Sequence, residues 1–227
     1  MRSLDGRRIV LTGSSSAAIR IGDALTSAGG QVHRITDGFG SEAAVGKALD
    51  GAKAALGGVD QVVHAWLPES VMSAASFMSL SEQAWADGCE AALSGAWWVA
   101  RQAIPLLLET RGSLVFLTPT IGMSGAAEYT MLASVAEGVR VLAKGCGRQL
   151  GTEGVTVNTI ATAAHLWMPP DDAKTVTGAT TLSTPAFGRS GDPASDLAPL
   201  VALIGQPEAH FLTAGTVVAD GGIWMGL

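Results

Sequence analysis

The clearest structural signal in this chain lies in residues 112–158, which read GSLVFLTPTIGMSGAAEYTMLASVAEGVRVLAKGCGRQLGTEGVTVN. An apolar run, Leu114–Leu117, opens the stretch and predicts a buried parallel strand. A glycine-bearing loop follows at 119–125. Apolar residues then recur at three- and four-residue steps and share one face of a long helix: Leu132, Val135, Val139, Leu142 and Cys146. We expect Gly151 to end this helix as a left-handed cap, before a further strand that begins near Val155.

The rest of the chain repeats this alternation of strand and helix. Strand patterns lie at 8–13, 31–35 and 60–65, and helical patterns at 17–28, 41–56 and 81–110. Ser81 is placed to cap the last of these helices, and Pro105 is expected to kink or break it. The alternation predicts an α/β fold with a Rossmann-like, doubly wound parallel sheet. No repeat or linker divides the chain, so we expect a single domain over residues 1–227.

Composition narrows the classes of function. Hydrophobic residues make up 48% of 227 residues, the net charge is −6, and the 14 Lys and Arg are scattered. Nucleic acid and anionic membranes are therefore disfavoured as partners, because both require clustered positive charge. No apolar run reaches the roughly 18 residues that span a bilayer. Cys89 and Cys146 stand at no metal-binding spacing, so we expect no metal. Because no apolar run is long enough to span a bilayer and the two thiols are expected to be reduced, we expect a soluble, cytoplasmic protein.

Three stretches resemble the short-chain dehydrogenase/reductase family. Residues 112–122 are similar to the strand that ends in the family's catalytic serine, three residues before a glycine, which places that position at Pro119. Residues 136–158 are similar to the helix that begins at the catalytic lysine, which falls on Ala136. The family's Tyr-x-x-x-Lys spacing then places the tyrosine at Leu132. The stretch EAALSGAWWVARQAIPLLL is similar to the helix with the catalytic asparagine, at Ala92.

The resemblance therefore implies a degenerate member of the family. None of Ala92, Pro119, Leu132 and Ala136 carries a group that exchanges a proton at neutral pH. We expect no catalytic residues at these positions.

The family's phosphate-binding loop is also altered. It reads T-G-x-x-x-G-x-G in the family, and here only Gly13 remains, with Ala17 and Ile19 at the other two glycine positions. A branched side chain takes up space where backbone must approach a phosphate. We therefore expect no cofactor, neither NAD nor NADP. Residues 14–16 are three serines, which cap a helix or, alternatively, offer donors to some anion.

Two further parts of the family's nucleotide site are missing from the sequence. Only residues 36–59 separate the second strand from the next, which is too short for helix, strand and helix. We therefore expect six strands, with the family's third strand absent. The turn after the next strand holds Trp66 where the family has small residues. Beside it, His64 is a candidate base, although a structural role is favoured because no partner is identifiable in sequence.

The features that build the family's oligomer are retained. Adjacent Trp97 and Trp98 point in different directions from one helix, so both are buried only if the helix is covered on two sides. In the family this helix and the helix from 132 to 150 pair with a neighbouring subunit, and residues 211–227 resemble its assembly segment. The main hypothesis is a non-catalytic subunit, a pseudoenzyme, of a hetero-oligomeric oxidoreductase complex. Its active paralogue would reduce or oxidise a hydroxyacyl/ketoacyl or alcohol/ketone substrate.

Two alternatives remain open, and a reductase with every role reassigned is a third, less favoured one. The first is a cofactor-independent enzyme of the same fold, of a proton-transfer, isomerase or lyase type. Its candidate residues are Thr118, Thr120, Glu128, Tyr129, His64 and His165. The second is a small-molecule-binding module, in which an apolar pocket is lined by Trp66, Pro119, Met131 and Leu132. Residues 164–184 match the position of the family's substrate-covering lid.

Overall fold

The computed structural model describes residues 4–168, 173–176 and 185–225. Its strands are β1 (Arg8–Thr12), β2 (Gln31–Ile35), β3 (Gln61–His64), β4 (Ser113–Pro119), β5 (Thr156–Thr162) and β6 (Thr216–Ala219). Its helices are α1 (Ser16–Ser27), α2 (Glu42–Leu56), α3 (Glu69–Met72), α4 (Glu82–Thr110), α5 (Ile121–Ser124), α6 (Thr130–Leu150) and α7 (Ala198–Ile204). Shorter turns of 3₁₀ helix lie at Gly151–Glu153, Ala164–Trp167 and Pro207–Ala209, and a π-helical segment at Pro193–Leu197.

The strands form one parallel sheet in the order β2-β1-β3-β4-β5-β6. The predicted six-stranded, Rossmann-like architecture is confirmed. Residues 36–60, all of which are described, contain α2 and no strand. The predicted loss of the family's third strand is therefore confirmed as well.

Each face of the sheet has its own hydrophobic core. One core lies beneath α2, α4 and α6 and takes the strand residues Val10, Val62, Leu114 and Phe116. The other lies beneath α1 and α7 and takes Ile9, Leu11, Val63 and Val115. The neighbouring residues of each strand alternate between the two cores, which is why these strands read as continuous apolar runs.

Serine side chains begin three of the helices. Ser15, Ser41 and Ser81 accept hydrogen bonds from the backbone amides of Ala18, Ala44 and Ala84, at 3.2, 3.3 and 3.1 Å. Each bond satisfies one of the amides that a first helical turn leaves without a partner. The expected cap at Ser81 is confirmed, and Ser15 is likewise a cap.

Two expectations about helix boundaries are wrong: α4 is not broken at Pro105, and Gly151 is not a left-handed cap. A kink at Pro105 remains a prediction. Helix α4 runs unbroken through Pro105, which lies on the exposed side of the helix. There, solvent is the alternative partner for the carbonyl of Arg101 that loses its amide donor. Gly151 is not a left-handed cap, since its φ is −57°. The chain instead continues as a 3₁₀ turn, and Gly154, at φ 81°, provides the left-handed turn into β5.

None of the helices in the described part of the chain is long and apolar enough to cross a membrane. Within the same residues, no cluster of three or more His, Cys, Asp or Glu side chains is positioned to hold a metal ion.

Candidate functional site

The strand order reverses at β1, which lies between β2 and β3. From β1 the chain moves outward to β2 and then returns to the other side of β1 as β3. In open parallel sheets, a crevice forms beyond the carboxyl ends of the strands at such a reversal, and ligands bind there. The candidate site is therefore the space beyond Thr12 and His64, where β1 and β3 end.

A cleft of about 800 Å³ lies at this place. Its lining is mostly apolar and includes two indoles, two thioethers and one carboxylate: Ser14, Ser15, Ser16, Ala65, Trp66, Leu67, Pro68, Glu69, Met72, Ser73, Leu117, Trp167 and Met168. Residues 169–172 and 177–184, which belong to the lid predicted from sequence, lie outside the described residues.

The altered phosphate loop is a tight turn between β1 and α1. Gly13 has φ 112°, and a Cβ added there would lie 2.5 Å from the carbonyl oxygen of Ala65, so this turn requires glycine. Ala17 is fully buried beneath the loop, whereas Ile19 is 42% exposed on the first turn of α1. The loop thus keeps its fold with one glycine. Whether it has lost phosphate binding remains a prediction.

Aromatic rings fill the space between the ends of β2 and β3. Phe39, four residues beyond β2, stacks on Trp66 with ring centroids 4.6 Å apart and planes 26° apart. The stack continues into the core through His64, which lies edge-on to Phe39 at 6.2 Å and to Phe116 at 5.6 Å. Helix α4 admits the indole at Gly95, where an added Cβ would lie 2.6 Å from Cζ3 of Trp66.

His64 is a buried, neutral histidine. Its Nδ1 lies 2.9 Å from the hydroxyl oxygen of Thr12. The same oxygen accepts a hydrogen bond from the amide of Ala65, so its own proton is free to be donated to Nδ1. Burial lowers the pKa of His64 from its ordinary value to about 3. These contacts support the structural role favoured from sequence, because the ring is committed to the Thr12 hydroxyl rather than to a cleft.

The four positions aligned with the family's catalytic tetrad are all buried. Ala92 and Ala136 are each 1% exposed and Leu132 is 0% exposed. Pro119, the last residue of β4, is buried as well. These side chains belong to the interior of the molecule and line no part of the cleft described above.

Backbone and apolar side chains pack tightly around these positions. Helix α5 approaches α6 so closely that a Cβ on Gly122 would lie 3.0 Å from Cβ of Ala136. Met131 packs on α4 in the same way, since a Cβ on Gly88 would lie 2.5 Å from its sulfur. A lysine side chain at Ala136 has no room without movement of α5.

The residues proposed for the alternative functions differ in their burial. Of the four residues expected to line an apolar pocket, only Trp66 lines the cleft, and Pro119, Met131 and Leu132 are buried. Among the candidates for proton transfer, Thr118 and Thr120 are 2% and 3% exposed, whereas Glu128 is exposed at φ 64°. His165 is half-buried, which lowers the pKa of its imidazole.

The two tryptophans of α4 have different environments. Trp97 is 44% exposed, and the guanidinium of Arg101 lies 5.3 Å from its ring centroid. Trp98 is half-buried and packs against the core beneath α4. The expectation that they point to different sides is confirmed, and one of them points outward.

Comparison with known proteins agrees with the fold. A family model described as Enoyl-(Acyl carrier protein) reductase matches residues 4–224. The chain therefore belongs to the short-chain dehydrogenase/reductase family.

The curated relatives are oxidoreductases by name. The chain is 29% identical over 175 residues to 3-oxoacyl-[acyl-carrier-protein] reductase FabG of Vibrio cholerae, covering 75% of this chain and 68% of the relative. It is 30% identical over 155 residues to (3R)-3-hydroxyacyl-CoA dehydrogenase of Mus musculus, covering 65% and 58%. It is 24% identical over 200 residues to 12alpha-hydroxysteroid dehydrogenase of a Clostridium species, covering 83% and 73%. The chain spans 60–61% of the length of other FabG relatives, from Vibrio harveyi and Staphylococcus aureus.

Membership of this family implies a nicotinamide dinucleotide. In Rossmann folds the adenosine end of a dinucleotide lies towards β2, whose carboxyl end contacts the ribose. Here that region is closed by the stack of Phe39 on Trp66, and Phe39 is only 5% exposed. Asp37, just beyond β2, is exposed and stands outside the stack. The aromatic stack therefore does not fit an adenine ring, whereas Asp37 is an acidic residue of the kind that contacts the ribose in Rossmann folds.

Sequence reasoning missed two participants of this region, Phe39 and Thr12. Phe39 lies in a loop, and its partner Trp66 is 27 positions further along the chain, so no local pattern joins them. Thr12 is the threonine of the T-G-x-x-x-G-x-G motif, and the motif gives no indication that it contacts a histidine. The pairing of β1 with β3, which sets Thr12 opposite His64, is the signal that places its hydroxyl beside the imidazole.

Proposed function

We propose that this chain is a non-catalytic subunit that assembles with an active NAD(P)-dependent short-chain dehydrogenase/reductase and supports it structurally. The observation that carries the proposal is the burial of all four tetrad positions as Ala92, Pro119, Leu132 and Ala136. A dehydrogenase of this family needs a proton donor and a carbonyl-binding hydroxyl at the substrate. Alanine, proline and leucine supply neither.

An exposed apolar surface supports the assembly part of the proposal. We call it the α4–α6 surface and define it by Trp85, Leu93, Trp97 and Val141, which are 37%, 37%, 44% and 54% exposed. The two helices form one continuous face here, because Leu93 lies over Gly138, where an added Cβ would be 2.7 Å from its Cδ2. Large apolar side chains gathered on one face of a soluble protein mark an interaction surface.

The ends of this surface favour a partner that brings its own positive charge. The first three turns of α4 carry Glu82, Asp87 and Glu90 and no Lys or Arg. Arg101, beside Trp97, is already engaged in an ion pair with Glu42 at 2.7 Å. A complementary partner surface would combine apolar side chains with basic ones at its rim, which favours recognition of one partner over others.

The names of the relatives suggest the chemistry of the complex. They act, as named, on 3-oxoacyl groups, 3-hydroxyacyl-CoA and a hydroxysteroid. We infer that the active partner interconverts a hydroxyacyl and a ketoacyl group, or an alcohol and a ketone. In this scheme the present chain provides no cofactor and no catalytic group.

The test is co-expression with a short-chain dehydrogenase/reductase from the same genome that retains Asn, Ser, Tyr and Lys at the tetrad positions. We expect a stoichiometric complex, whose molar mass is measured by size-exclusion chromatography with light scattering. Its interface should bury roughly 2,000 Å² or more. Purified alone, the chain should self-associate or be poorly soluble, and should not oxidise or reduce a nicotinamide cofactor with any ketoacyl substrate.

A charge on the α4–α6 surface sharpens the test. Trp97→Glu should weaken the complex by several kcal/mol, because an unpaired charge would be desolvated in the interface. Ile19→Glu is the matched control, since Ile19 has a similar exposure of 42% but lies on α1, on the other face of the sheet. A stable monomer that ignores both the partner and the Trp97→Glu substitution would refute the proposal.

A further inference from the structure

Phe39 and Trp66 form an aromatic stack beyond the carboxyl ends of β2 and β3, and Phe39 is more buried than a residue in a short loop needs to be. Phe39 is 5% exposed, although it lies in a short connection between β2 and α2. Its ring is packed into the same core as Val45 and Leu49 of α2. The connection thus sends a large ring inward, over the carboxyl end of the sheet, where most Rossmann folds leave room for a ligand.

Trp66 is held in this group from three sides. One face of the indole stacks on Phe39 at 4.6 Å, and its edge enters the notch at Gly95 on α4. His64 lies 6.5 Å from it, with its own ring fixed by Thr12. The remaining surface of Trp66 forms a wall of the cleft. A flat aromatic ring thus lies between protein groups at the switch point and is supplied by the chain itself.

We propose that Phe39 and Trp66 replace the adenine ring of the family's nucleotide as an internal ligand, so that this chain completes its own nucleotide site without a cofactor. The fold loses the third strand, which in the family borders the adenine, and the two rings occupy the space that this loss would otherwise leave empty. An unfilled space of that size would cost stability, because its lining would lack contacts. The inference concerns the isolated chain and holds whether or not the chain has a partner.

The test measures thermal unfolding and uses free indole as a replacement for the deleted ring. Trp66→Ala should lower Tm by about 4 °C or more, since the partly buried indole stacks on Phe39 and fills the notch at Gly95. Apolar cavities made in this way bind small aromatic molecules of matching shape. Millimolar indole should therefore restore at least half of the lost Tm in Trp66→Ala.

Phe77→Ala is the control, because it also deletes one aromatic ring, but from a position that is 69% exposed and outside the α4–α6 surface. Its Tm should change by about 2 °C or less, and indole should have no effect on it. Should Trp66→Ala fail to fold, Phe39→Leu keeps much of the apolar volume and removes only the stack. Its Tm should fall by about 3 °C.

The wild-type chain gives the second arm of the test. NAD or NADP at about 5 mM should leave its Tm unchanged, since a ligand that binds the folded state stabilises it by RT ln(1 + [L]/Kd) and so raises Tm. A rise in Tm with either dinucleotide would overturn the inference, as would a Trp66→Ala variant as stable as Phe77→Ala. Either result would leave the Proposed function intact if the partner complex still forms, because that complex depends on the α4–α6 surface.

Discussion

The two halves of the family's active site have changed in different ways in this chain. In the catalytic half, Pro119, Leu132 and Ala136 are buried, and α5 approaches α6 closely at Ala136. The nucleotide half keeps a cleft of about 800 Å³ beside three serines, although its adenosine end is closed by rings. The tetrad positions have lost their reactive side chains, whereas the nucleotide half has kept a cavity. The loss of catalytic groups and the loss of a cavity are therefore separate events. A site that no longer needs catalytic groups is free to become core, whereas a crevice at a switch point persists because the strand order creates it.

The largest expected effect contrasts a charge in each half. Ala136→Lys should destabilise the protein by about 3 kcal/mol or more, because the ammonium would be buried without a partner against α5. Ser73→Lys places the same side chain at an exposed position that lines the cleft, and should change stability by about 0.5 kcal/mol or less. Urea unfolding of both variants measures the contrast. Equal stabilities would show that the protein accommodates a lysine side chain at position 136 without burying an unpaired charge.

The second effect concerns pH and the ring between the two halves. The folded pKa of His64 is about 3, below the ordinary value near 6.5 of an unfolded chain. Between these values only the unfolded chain takes up the proton, so stability is complete above pH 6.5 and falls as the pH drops towards 3. The loss should approach about 1.4 kcal/mol per pH unit.

The variant His64→Gln isolates this contribution. Its free energy of unfolding, measured between pH 7 and 4, should fall less steeply than that of the wild type. Parallel slopes for wild type and His64→Gln would contradict the burial of a neutral ring at this position.

The smallest effect separates the two interpretations of the serine loop. Ser15→Ala should cost about 1 kcal/mol, because Ser15 caps α1 through the amide of Ala18. Ser81→Ala, which removes the corresponding cap of α4, should cost a similar amount. Ser14→Ala alters the cleft without removing a cap and should be nearly neutral in denaturant unfolding. A larger loss for Ser14 than for Ser15 would argue that the loop is built around something other than helix capping.

The fold was predictable because its signals are local. The strand around Leu114–Leu117 is an uninterrupted apolar run, and Ser41 and Ser81 mark helix starts by their side-chain chemistry. The missing strand followed from chain length alone, since 36–59 has no room for it. The expected break at Pro105 was wrong because the neighbouring Leu106 and Leu107 are buried and hold the helix against the core. This packing is a tertiary property that the sequence does not display.

The site was predictable only in part, because its contacts join distant residues. The motif spacing indicated which positions to inspect, and burial of Leu132 and Ala136 is consistent with the expected absence of chemistry there. That absence remains a prediction, as does the choice of partner. The stack of Phe39 on Trp66 had no signal in the sequence, since it depends on how two loops meet after the sheet has formed. An apolar residue in a loop indicates neither that it will be buried nor which ring it will contact, since Phe77 and Phe187 also lie in loops and are exposed.

The notch at Gly95 also constrains the order of evolutionary change. With any side chain at position 95, the ring of Trp66 would meet a Cβ at 2.6 Å, and an indole is too rigid to bend away. With a small residue at position 66, by contrast, glycine at 95 costs only its weaker helix propensity, about 1 kcal/mol. A mutational path that keeps the protein folded therefore acquires the glycine first and the indole second. Once both residues are present, a substitution of Gly95 alone is unfavourable, because the new Cβ would clash with the ring of Trp66.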